Sequence, residues 1–267
     1  MQYNLSKAIE AALAGGEAIM SVYSGPDFQV ELKEDNSPLT LADKKAHEVI
    51  QKILSEFDIP IISEESKLLD HQTRKKWEEC WIVDPLDGTK EFIKRNGEFT
   101  VNIALIRKGK PMLGVIFAPA LNLLYFALVS EKKAYKVSTT SIRMKVADVF
   151  NAAKEISPMP AQELIHVAGS RSHMNEDTLN FIEDLKKRYD KEVRVISKGS
   201  SLKFCLVAEG MAQFYPRFAP TMEWDTAAGQ AICEAVGVQC RSRSTGDPIS
   251  YNRKNLLNDH FLVSNEG

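Results

Sequence analysis

Apolar residues recur at helical spacing from the start of the chain. Leu5, Ile9, Ala12, Leu13, Gly16, Ile19 and Tyr23 share one stripe and predict an amphipathic first helix that stops before Gly25-Pro26. Phe28 to Leu32 alternates and predicts a strand. A polar loop, Lys33 to Pro38, leads to Thr40 and a second helix with Ala42, Ala46, Val49, Ile50, Ile53 and Phe57 on its buried face. Ile59 to Ile62 is a short strand that runs into Ser63-Glu64-Glu65. Trp81-Ile82-Val83 reads as a buried strand that ends at Asp84, because Pro85 cannot donate to a ladder. Asp87-Gly88-Thr89 then opens a helix. Val101 to Ile106, Leu113 to Phe117, Leu124 to Leu128 and Ala134 to Val137 predict an antiparallel meander, turning at Lys108-Gly109-Lys110 and Ala120-Leu121-Asn122.

Beyond a polar passage from Ser138 to Pro160, strands and helices alternate. Leu164 to Ala168, Val193 to Ile196 and Met211 to Tyr215 are strands. Asn175 to Tyr189, Leu202 to Glu209 and the segment capped by Trp224-Asp225-Thr226 are helices. The expected class is α/β, with an α+β first half over residues 1–140 and an α/β second half over 141–267.

Composition narrows the function. A chain of 267 residues buries a full core in one or two domains. A formal charge of −2 gives no basic footprint for a nucleic-acid polymer, so a small polyanion must be met by local cations or metals. No apolar run is long enough to span a bilayer, and the N-terminus lacks the basic-then-apolar pattern of a secretory signal. Cys80, Cys205, Cys233 and Cys240 have no C-x-x-C spacing and read as reduced, mostly buried thiols of a cytosolic protein.

Asp84 and Asp87 leave a strand end on a tight turn, followed by amides at a helix start. Carboxylates bind hard divalent cations and free N–H groups bind phosphate oxygens. A lone D-x-x-D more often means a turn aspartate and a helix cap. Glu64 and Asp225 also stand at a strand end and a helix start, so four carboxylates can converge on one crevice. Without cations their repulsion would be strongly unfavourable, and magnesium resolves it with oxygen ligands. No His or Cys shares the set, which argues against zinc. Asp43, one turn after Thr40, reads alone as a first-turn acid favoured by the helix dipole. Ser200, Lys203 and Arg217 likewise read alone as a cap and surface charges.

Asp84-Pro85-Leu86-Asp87-Gly88-Thr89 resembles the signature of the inositol monophosphatase-like, lithium-sensitive, magnesium-dependent phosphatases. Its extension through Lys90-Glu91-Phe92 to Thr100 is similar to the branch that hydrolyses 3'(2'),5'-bisphosphate nucleotides. Thr40-x-x-Asp43, Ser63-Glu64-Glu65, the run Gly199 to Gly210 and Trp224-Asp225-Thr226-Ala227-Ala228-Gly229 resemble further motifs of the same group. The resemblance implies a layered αβαβα sandwich. It implies one magnesium on Glu64, Asp84 and the Leu86 carbonyl, a second on Asp84, Asp87 and Asp225, and a third, weaker ion near Glu64. It implies Asp43 and Thr89 as a proton-handling pair, with Glu64 as the third catalytic residue. Leu86, Asp87, Gly88, Thr89, His173, Ser200, Lys203, Arg217 and Asp225 are the implied contacts of a small nucleotide bisphosphate, with adenosine 3',5'-bisphosphate giving AMP. A cytoplasmic site is implied, and some bacterial relatives lie on the cytoplasmic face of the inner membrane. Two alternatives stay open: an inositol monophosphatase or other sugar phosphatase with the same cluster, and a non-catalytic calcium-binding module. Against the module, the chain has no EF-hand loop, and a binder has no need of the Thr89–Asp43 pair.

Overall fold

The structure, a computed structural model, describes residues 1–25, 30–32, 38–160, 163–170 and 174–265. Among these the helices are α1 (Gln2–Tyr23), α2 (Leu41–Leu54), α3 (His71–Arg74), α4 (Thr89–Ile93), α5 (Val146–Ala152), α6 (Glu176–Tyr189), α7 (Leu202–Ala208) and α8 (Glu223–Ala235). A short ribbon pairs β1 (Glu31–Leu32) with β2 (Pro38–Leu39). The strand expected from Phe28 is thus described only at its end, and most of the loop after it lies outside the described residues.

The alternating segments pair in the order in which they occur. β3 (Ile61–Ser63), β4 (Glu79–Asp87), β5 (Thr100–Arg107), β6 (Lys110–Ala118), β7 (Leu123–Leu128), β8 (Lys133–Ser138) and β9 (Lys154–Ile156) form one sheet in that order. Within this sheet the β3–β4 pair is parallel and the rest are antiparallel, β5 to β8 forming the expected meander and β4 and β9 extending it at either end. β9 lies beyond the expected boundary at 140, yet it pairs with β8, so the first sheet extends to Ile156. A second sheet takes the order β11 (Glu192–Ser197), β10 (Leu164–Gly169), β12 (Phe214–Arg217), β14 (Phe261–Ser264), β13 (Gln239–Ser242), with β10 parallel to both β11 and β12.

β4 does not stop at Asp84. It continues through Pro85 to Asp87, with Asp84 opposite Asn102 and Asp87 opposite Thr100. Three steps on β4 face two on β5, which is a bulge, and a bulge is where a sheet accepts proline. In a regular strand, residues three apart point to opposite faces. The extra residue reverses that parity and lets Asp84 and Asp87 reach one point.

Both faces of the first sheet are covered, which is why its strands read as near-continuous apolar runs. Trp81, Val83, Val101, Ile103 and Val115 pack on α1 and α2. Ile82, Ala104, Ile106, Ile116 and Ala127 pack on α7 and α8, which meet Tyr215, Phe261 and Val263 of the second sheet on their far side. Ile182 and Leu185 of α6 cover the outer face of that sheet at Ile165, Val167 and Phe214. The layers run α, β, α, β, α, as expected. Gly114 is where α8 lies closest to β6: a side chain there would strike the Ala228 carbonyl and Ala231 Cβ.

Candidate active site

The acidic residues meet where β4 gives way to α4. Carboxylate oxygens of Asp84, Asp87 and Asp225 all lie within 4.8 Å of one another. Asp84 is buried at 1% exposure, and its Oδ1 accepts from Leu86 N at 3.0 Å. Glu64 follows β3 directly, and its amide donates to Val83 O at 3.2 Å, which sets it beside Asp84 at the rim of the cleft but outside the tight group of three. Asp225 is not the cap of α8. Met222 holds that place, and Asp225, three residues on, reaches back to accept from Met222 N at 2.7 Å. Burial, then the charges of Glu64, Asp87, Asp225 and Asp43, push the Asp84 carboxyl well above the usual carboxylate range. Burial, followed by Asp87 and Glu64, pushes Asp225 up to about 8. Such a cluster is poorly tolerated as bare anions. Its donors are all oxygen, so it fits a hard divalent cation.

Thr89 and Asp43 come together as expected. Thr89 Oγ1 donates to Asp43 Oδ1 at 3.3 Å and lies 3.4 Å from Leu86 O. Asp43 Oδ2 accepts from Thr40 N at 2.7 Å and from Thr40 Oγ1 at 2.5 Å, so the capping box of α2 fixes it. Gly88 caps α4 at φ 90° with no side-chain cap, a backbone state that suits glycine and leaves the helix start bare.

The second sheet and α7 supply the opposite wall of a cleft of about 350 Å³, lined among others by Glu64, Asp87, Thr89, Ser200, Arg217 and Asp225. Ser200 Oγ and Arg217 Nε are buried polar atoms with no protein partner. Arg217 also donates from Nη2 to Pro220 O at 3.1 Å. Lys203 lines the cleft differently. It is 4% exposed, its ammonium donates to the carbonyls of Lys198 and Ser200, and it stands 5.4 Å over the Tyr215 ring. Burial lowers its pKa to about 8. Its hydrogen bonds hold the turn before α7. His173 lies outside the described residues.

Three residues of the site were not among the expected ligands, catalytic residues or contacts. Asn102 donates to Asp87 Oδ2 at 3.3 Å, Ser201 Oγ lies 2.7 Å from the same oxygen, and Glu98 accepts from Gly199 N at 2.9 Å and from Lys198 at 3.0 Å. Asn102 left one usable signal, a lone amide inside the apolar run Val101 to Ile106. Ser201 and Glu98 belong to no pattern that periodicity detects.

The inositol monophosphatase family model matches residues 1–266. The 3'(2'),5'-bisphosphate nucleotidase CysQ of Escherichia coli K12 is 45% identical over 264 residues, covering 97% of this chain and 99% of that protein. CysQ of Buchnera aphidicola is 42% identical, covering 97% and 93%. The crystal structure of CysQ from Bacteroides thetaiotaomicron, a bacterial member of the inositol monophosphatase family, matches at 47% identity with a TM-score of 0.88 over 99% of this chain and 97% of that one. The Thermotoga maritima IMPase, at 24% identity and a TM-score of 0.75 over 99% and 92%, shares the fold. With its sandwich of layers, its carboxylates gathered at a bulged strand end and its near full-length match to the family model, this chain belongs to the inositol monophosphatase family.

Proposed function

We propose that this chain is a magnesium-dependent 3'(2'),5'-bisphosphate nucleotidase that removes the 3'-phosphate of adenosine 3',5'-bisphosphate, giving AMP and phosphate. The observation that carries this is the 42–46% identity, over nearly the whole chain, to proteins of that name. Three inositol monophosphatases of known structure, from Thermotoga maritima, Staphylococcus and Anabaena, stand at 21–24% identity, which favours the nucleotidase over the sugar phosphatase.

Glu64, Asp84 and the Leu86 carbonyl would hold one ion, and Asp84, Asp87 and Asp225 a second, with Asp84 shared and a third, weaker ion near Glu64. When bound, the metals lower the pKa of a water and offset charge on the leaving oxygen. The chain's own residues handle the proton. Thr89 Oγ1 takes it from the water as its own passes to Asp43 Oδ1; threonine is too weak a base to act alone, so the pair is a relay. The Gly88 and Thr89 amides hold oxygens of the phosphate being removed. The second phosphate goes to Arg217, with Ser200 beside it, since both bring buried polar atoms that have no protein partner. Lys203 contributes charge from below and keeps the Ser200 turn in shape. Residues 1–140 supply most metal ligands, and 141–267 supply Asp225 and the specificity residues. Among the described residues no helix is long and apolar enough to cross a membrane.

A phosphate-release panel tests the proposal: adenosine 3',5'-bisphosphate, inositol 1-phosphate and fructose bisphosphate, each with and without magnesium. Adenosine 3',5'-bisphosphate should lead, turnover should need magnesium, and lithium and calcium should inhibit. A preference for inositol 1-phosphate would hand the assignment to the sugar phosphatases.

A further inference from the structure

Asp84 and Asp87 are oriented by different means. Asp84 is held within its own strand, by the Leu86 amide at 3.0 Å. Asp87 is held from across the molecule. Ser201, buried at the start of α7, places Oγ 2.7 Å from Asp87 Oδ2 and 2.9 Å from the Asp225 carbonyl. Asn102 Nδ2 donates to Ser201 Oγ at 2.9 Å and to Asp87 Oδ2 at 3.3 Å. Thr100 Oγ1 in turn donates to Asn102 Oδ1 at 2.9 Å, which fixes the amide's orientation.

A serine hydroxyl has one proton to give. Its oxygen already accepts from Asn102, and of the two acceptors in reach the carboxylate is the stronger, so the proton goes to Asp87. Both side-chain donors therefore address the same oxygen of Asp87, Oδ2. The Asp225 carbonyl, within reach of the same hydroxyl, belongs to the first turn of α8, whose side chain completes the acidic cluster. One hydroxyl from the second half thus touches two of the three clustered residues.

We propose that Ser201 is a positioning residue for the ion held by Asp87 and Asp225, and that it does not act on the ion held by Glu64, Asp84 and Leu86. This rests on the two-ion assignment. The neighbouring Ser200 serves the substrate instead. It sits at φ 46° in the cleft wall, its hydroxyl buried and without a protein partner. Two adjacent serines then face different ligands, one the metal and one the nucleotide.

The test is a manganese(II) titration of the full chain without substrate, read by electron paramagnetic resonance of free metal, for wild type, Ser201→Ala, Ser201→Cys and Ser200→Ala. Loss of an outer hydrogen bond to a ligand costs about 10–100-fold in metal affinity. Ser201→Ala should show that loss in one class of site and leave the other unchanged. Ser201→Cys, close in size but a weak donor, should move the same way and covers the case in which alanine disturbs folding. Ser200→Ala should bind manganese as wild type does while raising KM for adenosine 3',5'-bisphosphate. Unchanged manganese binding in both Ser201 variants overturns the proposal. So does an equal weakening of both classes alongside a lower melting temperature in chelator, which marks a general structural role. If wild type shows a single class, the two-ion assignment fails, and the role of Ser201 stands or falls on whether that class weakens.

Discussion

Asp87→Asn keeps the size of the side chain and an oxygen for Ser201 and Asn102, and it removes one negative charge from the cluster. Magnesium-dependent phosphate release should fall to background while the fold persists. Melting in chelator should stay level or rise, because like-charge repulsion is relieved; near-normal turnover would remove Asp87 from the ligand set. Arg217→Ala should cost about 1.5–3 kcal/mol, roughly tenfold to a hundredfold in kcat/KM, on adenosine 3',5'-bisphosphate and little on inositol 1-phosphate. Lys203→Ala should behave otherwise. Its ammonium binds the carbonyls of the turn carrying Ser200, so both substrates should suffer and the melting temperature should drop. A loss confined to the bisphosphate would return Lys203 to direct phosphate contact. At this scale the motif residues were legible, since Asp84, Asp87 and Asp225 occur in distinctive runs and do converge. The roles of Asn102, Ser201 and Glu98 were not legible, even though Glu98 and Ser201 lie within such runs, because each takes its meaning from a partner that is distant in the chain or on a neighbouring strand.

Elements bring those residues together with little slack. α8 carries Asp225 and lies on β6 at Gly114, where the Ala228 carbonyl occupies the space of a side chain. Gly114→Ala should therefore push α8 away, at about 1–3 kcal/mol of stability for the overpacking, and shift Asp225 from its partners. Differential scanning calorimetry and a magnesium titration would register the two effects together; a variant that melts and binds as wild type would show that α8 has room to move. Periodicity revealed the first helices and the meander, whose strands have local partners. It missed β13 and β14, of four residues each, where β14 pairs with β12 and β13 across long stretches of chain. It also ended β4 at Asp84, because a proline rule applied to a regular ladder does not foresee a bulge.

For the whole molecule, charge and layering set the behaviour. Asp84 and Asp225 are raised above their unfolded values in the metal-free protein, Asp225 to about 8. Between about pH 4 and pH 8 the folded chain binds protons that the unfolded chain has released, so metal-free stability falls as pH rises through that window. With magnesium saturating, the carboxylates ionise in both states and the slope should flatten. Melting in chelator should be higher at pH 6 than at pH 8, and excess magnesium should shrink that difference; a metal-free melting temperature that climbs from pH 6 to pH 8 would contradict the raised values. The layering acts on a different clock. The first sheet is complete at Ile156, but the helices that cover its inner face end only at Ala235. A ribosome adding 5–20 residues per second needs on the order of 4–16 s to make the difference of about 80 residues. A sheet that folds as it emerges would leave Ile82, Ala104, Ile116 and Ala127 facing water for that time. A chain stopped at residue 160 should aggregate, and co-expression with residues 161–267 should recover soluble protein, as ultracentrifugation of the two preparations would show. By that outcome, a cell that makes this enzyme would have to shelter an apolar surface until the covering helices are synthesised.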